Sequence, residues 1–157
     1  MIEDRSEIVE TLNNSKIARL ATVDPENNQP YLVPVVFVFN GYNIFIPIDD
    51  KPKKTGNSNQ LKRVKNIQKN PNISFLIDTY DEEDWNNLSY LMIQGKARIV
   101  VNRLKDIDTI KIAHYLLSEK YLQYKNLVGM GNSCIVIDIQ KVIKWKYSNE
   151  KKAIHNE

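Results

Sequence analysis

The sequence predicts a mainly β domain: an antiparallel barrel of six strands with peripheral α-helices. Two observations point there. Six runs rich in β-branched and aromatic residues are separated by turn signals, as strands are. They follow one another largely in hairpin order, with short helical patterns between some of them, which favours an antiparallel sheet. A doubly wound nucleotide-binding sheet would need regular strand–helix alternation and a Gly-rich first turn. Neither is present. The pair Gly129-Met130-Gly131 follows a helical pattern and precedes a strand, so it reads as a turn.

Glu3 to Asn13 has the pattern of a short amphipathic helix with Ile8 and Leu12 on one face, and Asn13, Asn14 and Ser15 end it. Lys16 to Val23 alternates Ile17, Arg19, Ala21 and Val23 against Ala18, Leu20 and Thr22, the period of a strand. Asp24 to Asn28 (DPENN) is turn chemistry, because Pro fixes one dihedral and Asn tolerates left-handed backbone. Tyr31 to Phe39 reads as the second strand. Pro34 within it lacks a ladder donor and points to an edge, a bulge or a sheet end. Asn40-Gly41 is a strong hairpin signal leading into the third strand, Tyr42 to Ile48.

Ser58 to Asn70 is expected to be a helix, with Leu61, Val64 and Ile67 on one face and Asn70-Pro71-Asn72 as its stop. Ile73 to Thr79 and Leu88 to Val101 are the fourth and fifth strands, the latter interrupted near Gly95. Leu104 to Tyr121 is a helix whose apolar face runs through Leu104, Ile107, Ile110, Ala113, Leu116 or Leu117, and Tyr121. Cys134 to Trp145 alternates as the sixth strand. One domain over residues 1–147 is expected, with a polar tail over 148–157.

Of the 157 residues, 22 are Lys or Arg and 19 are Asp or Glu, so the net charge is +3. That small number hides an asymmetry. Lys51, Lys53, Lys54, Lys62, Arg63, Lys65 and Lys69 form a block of +7 without an acid, which leaves −4 on the rest of the chain. Overall charge therefore argues against a general nucleic-acid coat. A single cysteine excludes an internal disulfide framework, and no apolar run approaches the ~20 residues of a membrane span. The polar N-terminus does not read as a signal peptide, so a soluble cytoplasmic protein without membrane partners is expected.

Nucleophilic and metal chemistry find little support. His114 reads as a packed or surface histidine, His155 as solvated, and Cys134 as a small buried hydrophobe with no base placed beside it. The acidic run Asp78, Asp81, Glu82, Glu83 and Asp84 lacks the spacing of a calcium loop and reads as a solvated turn before Trp85. The basic block says more. A strand ending in Ile48 is followed by Lys51, Pro52, Lys53, Lys54 and Thr55, then by a helix. That order can aim backbone N–H groups, ammonium groups and a hydroxyl at one phosphate. A solvated basic face and a nucleic-acid patch stay open beside that reading, and Arg19 reads as a surface strand residue.

These residues also carry a resemblance. A-x-L-A-T at Ala18 to Thr22, P-x-x-x-P-V at Pro30 to Val35, D-x-K-P-K at Asp49 to Lys53, N-P-x-x-S at Asn70 to Ser74, D-W at Asp84-Trp85 and G-x-A at Gly95 to Ala97 occur in order. With the closing strand and Trp145, the chain from about residue 15 to 146 resembles the pyridoxamine 5′-phosphate oxidase-like family of FMN-binding split barrels. Within it, the chain is most similar to the branch of coenzyme F420-dependent enzymes.

The resemblance implies a six-stranded split β-barrel that works as a homodimer, with cofactor sites at the subunit interface. It implies that Arg19, Lys51 and Lys53, with Lys54 and Thr55 as neighbours, hold the phosphate end of FMN or coenzyme F420. Pro34 and Val35, and the backbone of Ile46, Pro47 and Ile48, would line the ring, and Trp85 would cover the site from the partner. The implied activity is hydride transfer to or from a small organic substrate, with the cofactor carrying the chemistry. A flavin- or haem-binding module without turnover is the alternative. The tail after Trp145 lacks the substrate-binding Arg and His of true pyridoxamine phosphate oxidases, and Pro47 stands where many relatives have a small hydroxyl residue.

Overall fold

A computed structural model describes residues 2–48, 61–125 and 131–148. Among the described residues four α-helices, α1 (Ile2–Asn14), α2 (Lys62–Lys69), α3 (Ile107–Lys120) and α4 (Leu122–Lys125), surround one sheet. Its strands are β1 (Ala18–Val23), β2 (Pro30–Val35), β3 (Val38–Phe39), β4 (Asn43–Pro47), β5 (Asn72–Thr79), β6 (Ser89–Val101) and β7 (Ser133–Lys146). All neighbours pair antiparallel in the order β2-β1-β5-β6-β7-β4-β3.

The described residues form seven strands rather than the six expected, because the run Tyr31–Phe39 is two strands. Its halves lie at opposite edges of the sheet, β2 beside β1 and β3 beside β4, joined only by Val36 and Phe37. A sheet whose two edges are two residues apart in the chain must curl until they meet, and this corner closes the barrel. Phe37 anchors it: fully buried, its ring meets Phe75 edge-on at 4.9 Å. The Tyr121 hydroxyl accepts from the Phe37 N–H at 3.1 Å and sits 3.0 Å from the Phe37 carbonyl. Pro34 falls on the edge strand β2, where a missing donor interrupts no inner ladder.

The alternation read in the first strand holds. Ala18, Leu20 and Thr22 point into the barrel, while Arg19, Ala21 and Val23 point out. Inside, Leu20, Ile44, Ile46, Phe75, Ile93, Ile135 and Ile137 form the main core. α2 packs on this core through Val64 and Ile67, with Leu61 beside them, and α1 through Leu12 and Ile8. A second cluster forms where α3 lays Ile110, Ala113 and Leu117 over Val38, Phe45, Val100 and Val136.

Some boundaries move. The helix expected from Leu104 begins at Ile107, and Leu104 is 94% exposed in the preceding turn instead of on the apolar face. The helix expected over 58–70 is observed at Lys62–Lys69; residues 58–60 lie outside the described residues. The interruption expected near Gly95 is a β-bulge. β6 continues straight through, but its register with β7 shifts between Gln94 and Gly95, leaving Gln140 as the extra residue. Gly95 is required there, since a Cβ would lie 2.3 Å from the Asp138 carbonyl oxygen. The Asn40-Gly41 hairpin forms as expected. Gly41 has φ +98, and the Asn40 side chain accepts from the Tyr42 and Asn43 N–H groups at 2.9 and 2.7 Å.

Candidate functional site

Residues directly opposite in an antiparallel pair share a face, so the register lays out the outer surface of the sheet. Pro34, Arg19, Leu76, Met92 and Ile143 form one row across β2, β1, β5, β6 and β7. Leu32, Ala21, Ser74, Gln94 and Lys141 form the next row on one side. On the other side run Asp78, Tyr90 and Trp145. This face carries exposed apolar groups: Leu32 is 63% exposed and Trp145 45%, with Tyr90 stacked on Trp145 at 5.7 Å. A cleft of about 460 Å³ opens on it between Pro30, Ala21, Ser74, Gln94 and the bulge residue Gln140.

Arg19 stands in the middle row with Pro34 as its direct neighbour. Its Nη1 lies 3.5 Å from Oδ1 of Asp78, and both side chains are partly exposed. Asp78 heads the acidic run but lies within the expected fourth strand, and the structure keeps it in β5, on the same face as Ser74 and Leu76. The alternation of ISFLIDT carried that signal, but only the pairing of β1 with β5 brings Asp78 to Arg19.

Val35, Ile46 and Ile48 are buried in the main core, so their side chains face inward. What they offer outward is backbone. The Ile48 N–H bonds the Ser133 carbonyl at 3.3 Å, which puts the Pro47 backbone on the opposite edge of β4, beyond the short β3. Pro47 therefore disturbs no ladder bond to β7. Trp85 is 55% exposed in a short 3₁₀ turn, edge-on to Tyr147 at 6.0 Å. The Asp84 carboxylate caps that turn by accepting from the Asn86 N–H at 3.0 Å. Asp81 likewise accepts from Glu83 and Asp84 N–H groups and from Asn87 Nδ2, bonds that hold its carboxyl below the ordinary range. Lys51, Lys53, Lys54 and Thr55 lie outside the described residues.

The structure separates the helical half of the basic block. Lys62 pairs with Asp24 at the end of β1, and that contact lowers the Asp24 pKa and raises that of Lys62. Asn66, fully buried, donates from Nδ2 to Thr22 Oγ1 at 3.0 Å. Those two contacts fasten α2 to β1, so Lys62 serves the fold, while Lys65 and Lys69 face water. A lysine outside this block is also unusual. Lys120 lies 3.8 Å from the centre of the Phe37 ring and donates to the Leu12 carbonyl at 2.9 Å; burial, with Lys16 nearby, lowers its pKa to about 8.

Cys134 is buried at the start of β7, and burial pushes its thiol up to about 11, which suits a packed side chain and not a thiolate nucleophile. His114 lies on α3, whose buried side covers the second cluster and not the Arg19 row; His155 is outside the described residues. Among the described residues no group of three or more His, Cys, Asp or Glu is placed to hold a metal ion, and no helix is long and apolar enough to cross a membrane.

Residues 5–145 match the family model described as pyridoxamine 5′-phosphate oxidase. The chain belongs to the pyridoxamine 5′-phosphate oxidase family. Solved structures agree on the fold. A conserved hypothetical protein from Mycobacterium tuberculosis superposes with TM-score 0.67 at 19% identity, over 90% of this chain and 83% of that one. A FAD-binding protein from Mesorhizobium loti gives TM-score 0.65 at 16% identity, over 91% and 94%. A candidate pyridoxamine 5′-phosphate oxidase from Listeria innocua gives 0.56 at 16%, over 91% and 97%. No curated protein matches the chain. Membership in the pyridoxamine 5′-phosphate oxidase family accounts for the split barrel, and likeness at these identities speaks for the fold alone.

Proposed function

We propose that the chain is a flavin- or deazaflavin-dependent oxidoreductase that binds FMN or coenzyme F420 through its phosphate and acts on a small organic substrate. One observation carries the reading. Arg19 projects from the outer face of β1, partly exposed, directly beside Pro34 and amid Leu76 and Met92. This donor set fits the group. A guanidinium presents a planar fork to phosphate oxygens, and the neighbouring apolar row offers a bed for a planar ring. Lys51, Lys53, Lys54 and Thr55 would complete the phosphate grip, and the outward backbone of Ile46 to Ile48 would border the ring.

When bound, such a cofactor supplies the hydride chemistry. The chain's own residues hold the phosphate, orient the ring and exclude water. The exposed Leu32, Tyr90 and Trp145 need covering, and a second copy of the chain would cover them, bringing its Trp85 over the ring.

Arg19→Gln tests the phosphate grip. A charged hydrogen bond in a partly dry site is worth about 1.5–3 kcal/mol, so FMN or coenzyme F420 should bind at least ~10-fold more weakly. Unchanged affinity in a fluorescence titration removes Arg19 from the site. Turnover with reduced cofactor and a panel of small unsaturated acceptors separates the oxidoreductase from a carrier that binds without reaction.

A further inference from the structure

The sheet is split between β1 and β5. These strands pair only at Arg19–Leu76, Leu20–Phe75 and Ala21–Ser74. β1 then runs on through Thr22 and Val23 beside β2, and β5 reaches back to Asn72 beside β6. The cleft of about 460 Å³ lies at this split. Backbone groups in an antiparallel strand point to alternate edges. The Asp24 N–H donates to the Gln29 carbonyl at 3.0 Å on the β2 side, so Val23 turns its N–H and C=O toward β5. The Pro71 carbonyl accepts from the Ala97 N–H at 2.8 Å on the β6 side, so Asn72 turns its own pair toward β1. The Asn72 N–H donates to Asn70 Oδ1 at 3.1 Å. The Val23 N–H and C=O and the Asn72 carbonyl therefore face the cleft, on the rung where pairing of β1 with β5 has stopped. Two features fix this shape. Asn66 and Lys62 fasten the end of β1 to α2, and the bulge at Gly95 adds Gln140 to the lining.

We propose that this cleft binds a small uncharged molecule carrying an N–H beside a C=O: an amide, a lactam or a ureide. The fixed backbone of the two strand ends offers one donor and two acceptors. A carboxylate brings acceptors alone and would meet two carbonyl oxygens. An amine brings donors alone and leaves the Val23 N–H unmet, which costs affinity. An N–H beside a C=O answers both. Ser74, Gln94 and Gln140 add a hydroxyl and two amides that can donate or accept. None of the described residues lining the cleft carries a charge, and Lys96, the cation beside it, is engaged with Asn72 Oδ1. The volume falls in the ~300–1,000 Å³ of ordinary small-molecule sites. Arg19 is outside the lining, in the next row, so the site is separate from the phosphate grip and does not depend on it.

The test titrates the full chain with uracil, 1,3-dimethyluracil and benzoate, followed by amide chemical shifts in NMR. Uracil has the N–H and C=O edge, 1,3-dimethyluracil has the same ring without an N–H, and benzoate has a carboxylate. Uracil should shift Val23, Asn72, Gln94 and Gln140 and bind about fivefold or more tightly than either of the others. Val23→Pro removes the donor without removing a ladder bond to β2, and should weaken uracil binding about two- to tenfold. Ala21→Leu fills the cleft from the outer face and should abolish binding, which gives a second reading where Val23→Pro does not fold; circular dichroism checks both. Arg19→Gln should leave uracil affinity as it is. FMN and coenzyme F420 carry such an edge on their rings, so each is then added to the uracil complex. Displacement makes the edge the cofactor's own and joint binding makes it a second molecule's, and either result supports the site. Equal binding of the three probes, shifts away from the cleft, or unchanged uracil affinity in Ala21→Leu overturns the inference. Uracil binding by a protein that takes up neither cofactor keeps this site and removes the cofactor reading; cofactor binding without uracil binding does the reverse.

Discussion

Gly95 holds the bulge that shapes the candidate site, and Gly95→Ala should break it. The added Cβ would lie 2.3 Å from the Asp138 carbonyl oxygen and 3.3 Å from Ile137 Cγ2. An ordinary carbon–oxygen contact is about 3.3 Å, so β6 and β7 must separate by roughly 1 Å here. The obstacle is backbone within a ladder that runs the length of both strands, so no side chain can swing aside. Overpacking of this kind costs ~1–3 kcal/mol, and loosening a flanking ladder bond adds about 1 kcal/mol. The expected loss is about 2–4 kcal/mol, or roughly 5–15 °C in Tm for a chain of this size. Urea and thermal unfolding followed by circular dichroism measure it. Gly41→Ala is the comparison: nothing lies within 4 Å of its Cβ, and only its φ of +98 opposes a side chain, so it should lose less. A Gly95→Ala protein within about 0.5 kcal/mol of wild type would refute the close approach of the two strands and the bulge with it.

Other outcomes follow from the same geometry. Phe37→Ala empties the barrel corner and should cost about 3–5 kcal/mol; a loss below ~1 kcal/mol in urea unfolding contradicts the corner's role. Asn66→Ala strands the buried Thr22 hydroxyl and should cost about 1–3 kcal/mol, whereas Thr22→Val/Asn66→Leu should recover most of it, so additive losses in that cycle would show that the 3.0 Å bond is not what matters. Lys120 titrates near 8 in the fold against an ordinary 10.5, so between those values the unfolded chain binds more protons. Wild-type stability should therefore rise with pH relative to Lys120→Met across that window and stay at a constant offset below it; a difference that is flat or falls from 8 to 10.5 contradicts the burial of this amine.

The strands were legible where one rule decided them. Period-two alternation put Leu20 and Thr22 inside and Arg19 outside, and Asn-Gly chemistry placed the β3–β4 hairpin. The barrel corner was not legible, because Val36 and Phe37 are as β-prone as their neighbours and the break there comes from closure of the sheet. Leu104 misled for a related reason: it fits the helical period, but the chain turns at Arg103 and Asp106 before α3 begins. At the candidate site, the family resemblance named Arg19 and Pro34 separately, and only the β1–β2 register shows that they share a rung. Asp78 and the Tyr90–Trp145 stack did not show, since their meaning depends on which strands are neighbours. Lys120 was equally hidden, because a lysine in the last turn of a helix ordinarily points to water.

Cofactor binding is tested most directly by the mass and fluorescence of whatever small molecule leaves the purified protein on denaturation. Release of FMN or coenzyme F420 in stoichiometric amount, lost in Arg19→Gln, is the predicted result. A protein that carries neither, and takes up neither when each is supplied in excess, contradicts the assignment of this barrel as a flavin- or deazaflavin-dependent oxidoreductase.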